Sequence, residues 1–568
     1  MIDSVGSDDG IVFTFSNASA AAGDTASLAL NAANTTDLSG VSIAAIETLN
    51  VSATGTNVLG TLTTAAATTV NVAGAGSLSA TLASGNITTV NAAENTGGVT
   101  LNLAASDANN QTITGGTGND SITTEYAGLS NQDTINLGDG VDSLIFANGN
   151  ATFNDATTAA RLSNVTNVEK LGIIGNTLTV DGDLVSQNIF TTSGANGDFA
   201  ITDAANNSTL EFGAGAADAS TTAMKLGANT LNVELNGSTA AVANAGNGLT
   251  VTGSQTVNLS TNGTAGVGAN TLALTAADNQ TVVITGSQDL TLTTTAASNV
   301  TGFTLNGSAA TGKLNITGTN AADTITGGAG ADTLNGGGNV AVAEQFTVDF
   351  DGAATGADTI AFNGATITLS GGDDAATIAG KVAGGTYTDW TATASNDVVT
   401  FVNKATGTVT DVQASDFTIT DTGSDGAPSI GSLTTTVQGA AAVAFTADTF
   451  TGGEGKDTFI VGTNGAAAAS DSDVIMDFAT KTDKIDFQAL NTAGSATTYA
   501  EATAAVADFT SAKTAADTAI TGNFVYSAQQ VGADTYVFAD TNGDSAADSV
   551  VKLTGVALDG IEFADIVA

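Results

Sequence analysis

Residues 319–337 read TNAADTITGGAGADTLNGG, and this stretch repeats one pattern after nine residues. Asp323 and Asp332 are nine positions apart, and so are Ile325 and Leu334. The glycines between them permit sharp turns with inward-pointing carbonyl groups, because Gly adopts dihedrals that other residues avoid. Calcium prefers about six to eight oxygen ligands. The pattern therefore predicts half-turns of a parallel β-roll, with metal in the turns and aliphatic side chains in the core.

The overall composition favours an all-β protein. Of 568 residues 42% are hydrophobic, which is enough for a core and for about two to four domains. Aromatic residues make up only 5%, and the 68 glycines together with abundant Thr and Asn indicate short strands and many turns. No apolar run approaches the roughly 18 residues of a membrane span, and the acidic opening MIDSVGSDDG predicts no cleavable signal peptide.

The chain is strongly acidic, with 11 Lys and Arg against 56 Asp and Glu, a net charge of −45. Arg161 is the single arginine. Such a surface repels nucleic acid and anionic lipid, so neither is an expected partner. Divalent cations gathered by carboxylates would relieve the repulsion, whereas the simpler alternative is an acidic surface that only keeps the protein soluble.

Cys and His are both absent from the sequence. Disulfides, thiolate metal sites and cysteine nucleophiles are therefore excluded. The missing imidazole also excludes the HExxH zinc helix and the Ser-His-Asp triad. These absences argue against most hydrolase chemistry, and we predict that the chain is not an enzyme.

Short alternating strands recur along the first 310 residues. TLNV, TVNV and TVNA begin at Thr48, Thr69 and Thr89, and related segments begin at Thr230, Thr256 and Thr304. The spacing of about 20 residues in the first three copies predicts solenoid coils or stacked hairpins, with an irregular series of β-sandwiches as the alternative.

The repeating strand pattern gives way between residues 345 and 440 to a mixed strand and helix pattern, and we predict a small inserted β-rich (α+β) module there. Its helix would have Asp373 or Asp374 at the N-cap, Ile378 and Val382 on one face, and Gly384 at its end. A second helix is predicted at 498–509, before three further strands.

The expected segments are 1–112 (β-repeats), 113–145 (first glycine-aspartate cluster), 146–315 (β-repeats), 316–338 (second cluster), 339–444 (inserted module) and 445–568 (third cluster and secretion signal region).

The pattern GGxGxD, followed by any residue and then a large apolar one, occurs in full at 115–122, 327–334 and 452–459. Partial copies lie at 137–144 and 318–325. These residues resemble the RTX family, whose glycine-aspartate nonapeptides bind calcium in parallel β-rolls. Because the copies are isolated or paired, we expect each cluster to hold one or two ions. The resemblance implies calcium sites at Gly115, Gly116, Gly118, Asp120, Gly138, Gly140, Asp142, Asp323, Gly327, Gly328, Gly330, Asp332, Gly452, Gly453, Gly455 and Asp457.

The C-terminal region extends this resemblance. The segment 472–490, with Asp473, Asp477, Asp483 and Asp486, looks like the one that closes the β-roll in serralysin-type secreted proteins. A later loop, DTNGDSAAD, has the alternate spacing of a DxNxD calcium loop, with Asp540, Asn542, Asp544 and Asp548 as candidate ligands. The alternative for this loop is an ordinary β-turn.

The RTX resemblance implies export from a Gram-negative cell by type I secretion machinery that reads an uncleaved C-terminal signal, followed by folding in extracellular calcium. The Thr/Val/Asn/Ala-rich repeats and scattered RTX copies resemble surface-layer (S-layer) proteins of Caulobacter-like bacteria. That resemblance implies a homo-oligomeric lattice at the cell surface, with cell-surface polysaccharide as a possible second partner. A calcium-stiffened adhesin or matrix protein is the alternative, and a polysaccharide lyase or an ice-binding protein is less favoured.

Overall fold

The computed structural model describes residues 11–13, 23–32, 41–103, 110–194, 196–213, 220–225, 227–236, 243–262, 269–296, 301–337, 344–404, 410–422, 426–437, 446–462, 466–488, 490, 492–521 and 524–568. Within these ranges the chain is a parallel β-solenoid with a small inserted module. The predicted all-β solenoid class is thus confirmed. Parallel ladders join successive coils, which rules out the stacked hairpins and β-sandwiches considered above.

One sheet, here called the spine sheet, runs along the solenoid. Its strands from Ile11–Phe13 to Asp473–Ile475 are all parallel, and its last four strands close the C-terminal end. Its strands are Ile11–Phe13, Val41–Ile43, Thr56–Thr63, Ser77–Ala83, Val99–Asn102, Ser121–Glu125, Ser143–Ala147, Lys170–Ile174, Ile189–Ser193, Ser208–Gly213, Thr230–Asn236, Thr256–Thr261, Thr281–Gly286, Thr304–Ala310, Thr324–Thr326, Thr449–Thr451, Asp473–Ile475, Tyr499–Glu501, Tyr526–Val531, Asp534–Ala539 and Ser549–Leu553.

Two further parallel sheets complete the coils. The N-terminal sheet consists of Thr25–Asn31, Thr48–Thr54, Thr69–Gly74, Thr89–Asn95, Thr112–Thr114, Thr134–Asn136 and Val165–Thr166. The C-terminal sheet consists of Ala151–Phe153, Thr177–Asp181, Asp198–Ala204, Ser220–Met224, Ala243–Thr252, Asn270–Ala276, Leu290–Ala296, Leu314–Thr317, Thr333–Asn335, Thr458–Val461, Lys484–Phe487 and Ile566–Val567.

Strict alternation explains why these segments form strands. In Thr48–Thr54, Leu49 and Val51 point into the core, whereas Thr48 and Asn50 face outward. The same alternation in every coil produces one continuous apolar core from Ala26 to Ile566. A one-residue slip would expose the whole apolar set of a strand, so the pattern also fixes the register.

The second face of the solenoid changes from the N-terminal to the C-terminal sheet within one coil. Ala151–Phe153 opens the C-terminal sheet, and Val165–Thr166 ends the N-terminal sheet. The α-helix Ala156–Ala159 and the 3₁₀ helix Ala160–Leu162 lie between them. The Arg161 guanidinium donates to the carbonyl oxygens of Tyr126 at 2.9 Å and Leu129 at 2.8 Å, and it lies 4.6 Å from the Tyr126 ring centre. Arg161 therefore attaches the helical segment between the two sheets, here called the crossover, to the preceding coil.

The inserted module has an apolar core of its own, centred on stacked and edge-on Phe rings. The Ala375–Ala383 helix packs there, with Asp374 accepting from the Thr377 N–H at 2.8 Å and Gly384 at the C-cap, which confirms the predicted helix. The module strands are Gln345–Asp351, Trp390–Ser395, Val398–Asn403 and Ser429–Val437 in one antiparallel sheet, and Thr359–Phe362, Ala365–Thr368 and Thr418–Thr420 in another.

The predicted helix at 498–509 is wrong. Tyr499–Glu501 is a strand paired with Tyr526–Val531, and the helix is Phe509–Thr521 instead. The remaining 3₁₀ helices are Ala414–Asp416, Ala469–Asp471, Leu558–Gly560 and Phe563–Asp565. Among the residues described, no helix is both long and apolar enough to cross a membrane.

Candidate metal centre

Carboxylates stack coil on coil in the turns of the solenoid. Near the N-terminal end, Asp120 accepts from the Val99 N–H at 2.7 Å and the Gly116 N–H at 2.8 Å. The Asp120 N–H donates to Asp142 Oδ1 at 2.7 Å, and the Asp142 N–H donates to Glu169 Oε2 at 2.8 Å. We call Asp120, Asp142 and Glu169 the N-terminal carboxylate row, in which each side chain binds the backbone of the coil before it.

Two further rows lie on either side of the C-terminal sheet. The entry row, where the chain enters strands of the spine sheet, contains Asp323 and Asp448 just before their strands and Asp473 as the first residue of its strand. The Asp323 N–H donates to Asp448 Oδ1 at 2.7 Å, and the Asp448 N–H donates to Asp473 Oδ1 at 2.9 Å. Asp323 itself accepts from the N–H groups of Phe303 and Thr319.

The exit row, in turns that leave the spine sheet, contains Asp332, Asp457 and Asp483. The Asp332 N–H donates to Asp457 Oδ1 at 2.9 Å, and the Asp457 N–H donates to Asp483 Oδ1 at 3.2 Å. Asp332 in turn accepts from the Gly328 N–H at 2.6 Å and from the Leu314 N–H at 2.8 Å. Both C-terminal rows therefore pass directly from the coil before the inserted module to the coil after it.

The glycines allow these turns to stack. A Cβ on Gly327 would lie 2.3 Å from the Gly452 carbonyl oxygen and 2.5 Å from Asp332 Oδ2. Gly453 and Gly455 have φ of +93° and +138°, a region that favours glycine. The other predicted glycines are equally crowded, because a Cβ on any of them would lie within 2.7 Å of a backbone atom or a carboxylate oxygen, namely Gly115, Gly116, Gly118, Gly138, Gly140, Gly328, Gly330 and Gly452.

Burial makes these carboxylates costly to ionise without a cation. The eight aspartates of the three rows are at most 4% exposed. Desolvation raises the pKa of Asp142, Asp323 and Asp457 to about 6. It raises the pKa of Asp448 to about 9, and the neighbouring Asp473 carboxylate adds to this increase. A bound divalent cation would oppose these shifts because it favours the charged form.

The donor atoms fit calcium. Oδ2 of Asp142 and Oδ2 of Asp457 are buried and, among the described residues, accept no hydrogen bond. Around them the turns offer carboxylate and carbonyl oxygens without nitrogen or sulfur ligands, which is the donor set of a hard cation. We therefore propose that Asp120, Asp142, Asp323, Asp332 and Asp457 hold calcium, as the sequence predicts.

The predicted DxNxD loop joins the strands Asp534–Ala539 and Ser549–Leu553. Asp540, Asp544 and Asp548 each bring one carboxylate oxygen within 4.8 Å of the others. Oδ2 of Asp548 is buried without a hydrogen-bond partner among the described residues. The Asn542 side chain accepts from the Asp544 N–H at 2.8 Å and so shapes the loop. We propose this loop as a further calcium site.

Sequence reasoning missed Asp448 and Glu169 and did not assign Asp473 and Asp483 as ligands. The signal for Asp448 is present, because ADTITGGAGADTL at 322–334 recurs as ADTFTGGEGKDTF at 447–459. The hydrogen-bonded partners lie 125 residues apart, so the insertion hides the repeat from a search for short periods.

Comparison with known proteins gives two family matches. Residues 106–125 match the RTX calcium-binding nonapeptide repeat, and residues 276–567 match the family described as peptidase M10 serralysin C terminal. A search of curated proteins finds no significant match.

The stacked glycine-aspartate turns and these matches define an RTX protein, whose repeats bind calcium. The chain belongs to the serralysin C-terminal family, which matches more than half of its length. The matched region is the non-catalytic part associated with type I secretion, which indicates a secreted extracellular protein.

Proposed function

We propose that this protein is a calcium-dependent structural component that assembles into a surface layer on a Gram-negative cell. The observation that carries the proposal is the continuity of the carboxylate rows, which tie consecutive coils to one another and also join the coils on either side of the insertion. Calcium in these rows would stiffen a long scaffold rather than organise one local site.

The charge of the chain supports a calcium trigger. At −45, identical copies repel one another, and each calcium bound cancels two charges. Extracellular calcium modules bind at about 10⁻⁴ to 10⁻³ M, so assembly should begin in that range. The absence of His and Cys supports a structural role over hydrolysis, and we propose no catalytic activity.

A calcium-stiffened adhesin is the second candidate, and the inserted module favours it. This module has its own core and falls in the sequence between the solenoid strands Thr333–Asn335 and Thr449–Thr451, an arrangement suited to presenting a binding unit on a scaffold. The lattice and adhesin proposals differ in whether identical copies associate.

Electron microscopy of the purified protein, with calcium and with chelator, tests the proposal. A periodic sheet that forms with calcium and dissolves with chelator is the expected result. Isolated rods at all calcium concentrations would support the adhesin instead. Light scattering should show that Asp332→Ala raises the calcium needed for assembly more than Asp351→Ala, because Asp351 is exposed and lies outside all three rows.

A further inference from the structure

The inserted module has a carboxylate on the core face of its larger sheet. Phe346, Val348 and Phe350 are the buried residues of the strand Gln345–Asp351, and Glu344 precedes them by the same step of two. Side chains alternate along a strand, so Glu344 belongs to this inward-facing set. Its side chain is 0% exposed. A charged group buried beside Phe side chains needs a compensating partner.

The part of the chain that the structure describes supplies no hydrogen-bond donor for this carboxylate. Both oxygens of Glu344 are buried, and no described donor reaches hydrogen-bonding geometry with either of them. Burial raises the pKa of Glu344, the nearby Asp411 carboxylate raises it further, and the Val412 N–H only partly offsets these two effects. The carboxylate therefore lies next to a second negative charge in a dry environment, which disfavours its charged form unless a cation is present.

The neighbouring chain does not provide that cation. The segments 338–350 and 405–416 contain neither Lys nor Arg. Lys404 is the nearest lysine in sequence, but its Nζ donates to the carbonyl oxygens of Tyr387 at 2.6 Å and Thr388 at 3.1 Å. A cation from solution is the remaining way to compensate two adjacent carboxylates.

An amide joins the two carboxylates at this end of the sheet. Gln345 pairs with Val402, and the Asn403 N–H donates to the Glu344 carbonyl oxygen at 2.8 Å, which places Asn403 opposite Glu344. Opposite residues of an antiparallel pair have Cβ atoms about 4.5–5.5 Å apart. Asn403 is also buried, so its side chain shares the inward face. The cluster thus offers carboxylate and amide oxygens, the donors that a hard divalent cation takes.

We propose that Glu344, Asp411 and Asn403 bind a divalent cation of the size of calcium in the inserted module. None of the three belongs to a GGxGxD copy, a carboxylate row or the DxNxD loop. Asn403 and Val412 line a surface cavity of about 460 Å³ together with the exposed Asp389 and Asp416, so an ion can approach from solvent past two further carboxylates. The site concerns the module alone and therefore extends beyond the lattice function proposed above.

Terbium luminescence tests the proposal on the full-length protein. Trp390 is the only tryptophan of the chain, and it pairs with Asn403 on the neighbouring strand. Terbium(III) occupies calcium sites and emits when an excited indole lies close to it, so selective excitation of Trp reports an ion beside Asn403. We expect sensitised emission that excess calcium removes. Glu344→Gln should raise the terbium concentration at half-maximal emission by about tenfold or more, because calcium affinity follows the number of charged ligands.

Two control variants separate this site from the solenoid sites. Asp349→Asn is the matched control, because Asp349 is in the same strand as Phe346 but outside its buried set. Asp332→Asn tests whether ions of the exit row cause the emission instead. Both variants should titrate like the parent, whereas Asp411→Asn, at an exposed residue, should act in the same direction as Glu344→Gln.

An unchanged Trp390 emission spectrum in the absence of terbium should show that the module core stays packed in each variant. The proposal is overturned if no Trp-sensitised emission appears or if calcium does not compete. It is also overturned if Glu344→Gln or Asp411→Asn titrates like the parent, or if Asp332→Asn shifts the titration as much as Glu344→Gln does. Sheet formation does not enter this measurement, so its result is independent of the surface-layer proposal.

Discussion

Replacing Asp457 by Asn should stabilise the metal-free protein and weaken the stabilisation that calcium provides. In the absence of metal, the buried Asp457 carboxylate faces the carboxylates of Asp483 and Asp332, and its pKa rises from 3.8 to about 6. That difference corresponds to about 3 kcal/mol at neutral pH. Allowing for partial screening by water, we expect Asp457→Asn to stabilise the metal-free protein by about 1–3 kcal/mol. The new Asn Oδ1 can still accept from the Asp332 N–H, which lies 2.9 Å from the present Oδ1.

With calcium most of this advantage is lost. A site with a dissociation constant of about 10⁻⁴ M stabilises the folded state by about 1.4 kcal/mol at 10⁻³ M calcium, and the variant loses this contribution where the carboxylate is a ligand. Thermal unfolding followed by circular dichroism, with chelator and with calcium, measures both effects. Asp351→Asn is the control because Asp351 is exposed and outside the rows. The reasoning is refuted if Asp457→Asn lowers the melting temperature equally in both conditions, or leaves the calcium-induced increase unchanged.

Three further predictions follow from the same structure. Burial raises the pKa of Asp323 to about 6 and of Asp448 to about 9, above the ordinary 3.8. The contribution of these two groups to metal-free stability is therefore fully present below pH 3.8 and is lost as the pH rises through the raised values. Circular dichroism in chelator should show unfolding as the pH rises, and calcium should oppose this unfolding. Arg161→Ala should lower the free energy of unfolding by about 2–4 kcal/mol and raise hydrogen exchange near Tyr126, because two hydrogen bonds and a ring contact are lost; unchanged exchange there would contradict the role of Arg161 in the crossover. Removing residues 480–568 should leave the protein inside the cell while a fusion carrying only that segment is exported, and secretion of the truncated chain, measured by immunoblotting of the medium, would contradict the export assignment.

The sequence predicts the solenoid well where its pattern is local. Alternation in segments such as TLNV fixes which side chains are buried, and the coil-to-coil register then follows. The predicted helix at 498–509 fails because Ala and Glu favour helix locally, whereas Tyr499 is buried against Tyr526 in a parallel pair. The real helix begins at Phe509, after Asp508 accepts from the Ser511 N–H at 2.8 Å.

The carboxylate rows could be predicted only in part for a similar reason. A complete GGxGxD copy identifies its own aspartate, as for Asp120 and Asp332, because the turn and the carboxylate are contiguous in sequence. Glu169 belongs to no such copy, yet its side chain accepts from the Asp142 N–H across the coil boundary. Its place in the row depends on the length of the crossover coil, which no local motif encodes.

The position of the inserted module explains how a solenoid can accept a foreign domain. Asp323 and Asp332 precede the insertion, while their partners Asp448 and Asp457 follow it with the same offset of 125 residues. The strand Thr333–Asn335 before it pairs directly with Thr458–Val461 after it, and Thr324–Thr326 pairs with Thr449–Thr451. Coil stacking therefore continues as though the module were a long loop between two turns, and the cost of closing such a loop grows only slowly with its length. Because both C-terminal rows span the two sides of the insertion, calcium binding there would oppose separation of the coils that flank it. The proposed calcium sites would thus strengthen the stack at the point where the chain leaves it for about a hundred residues.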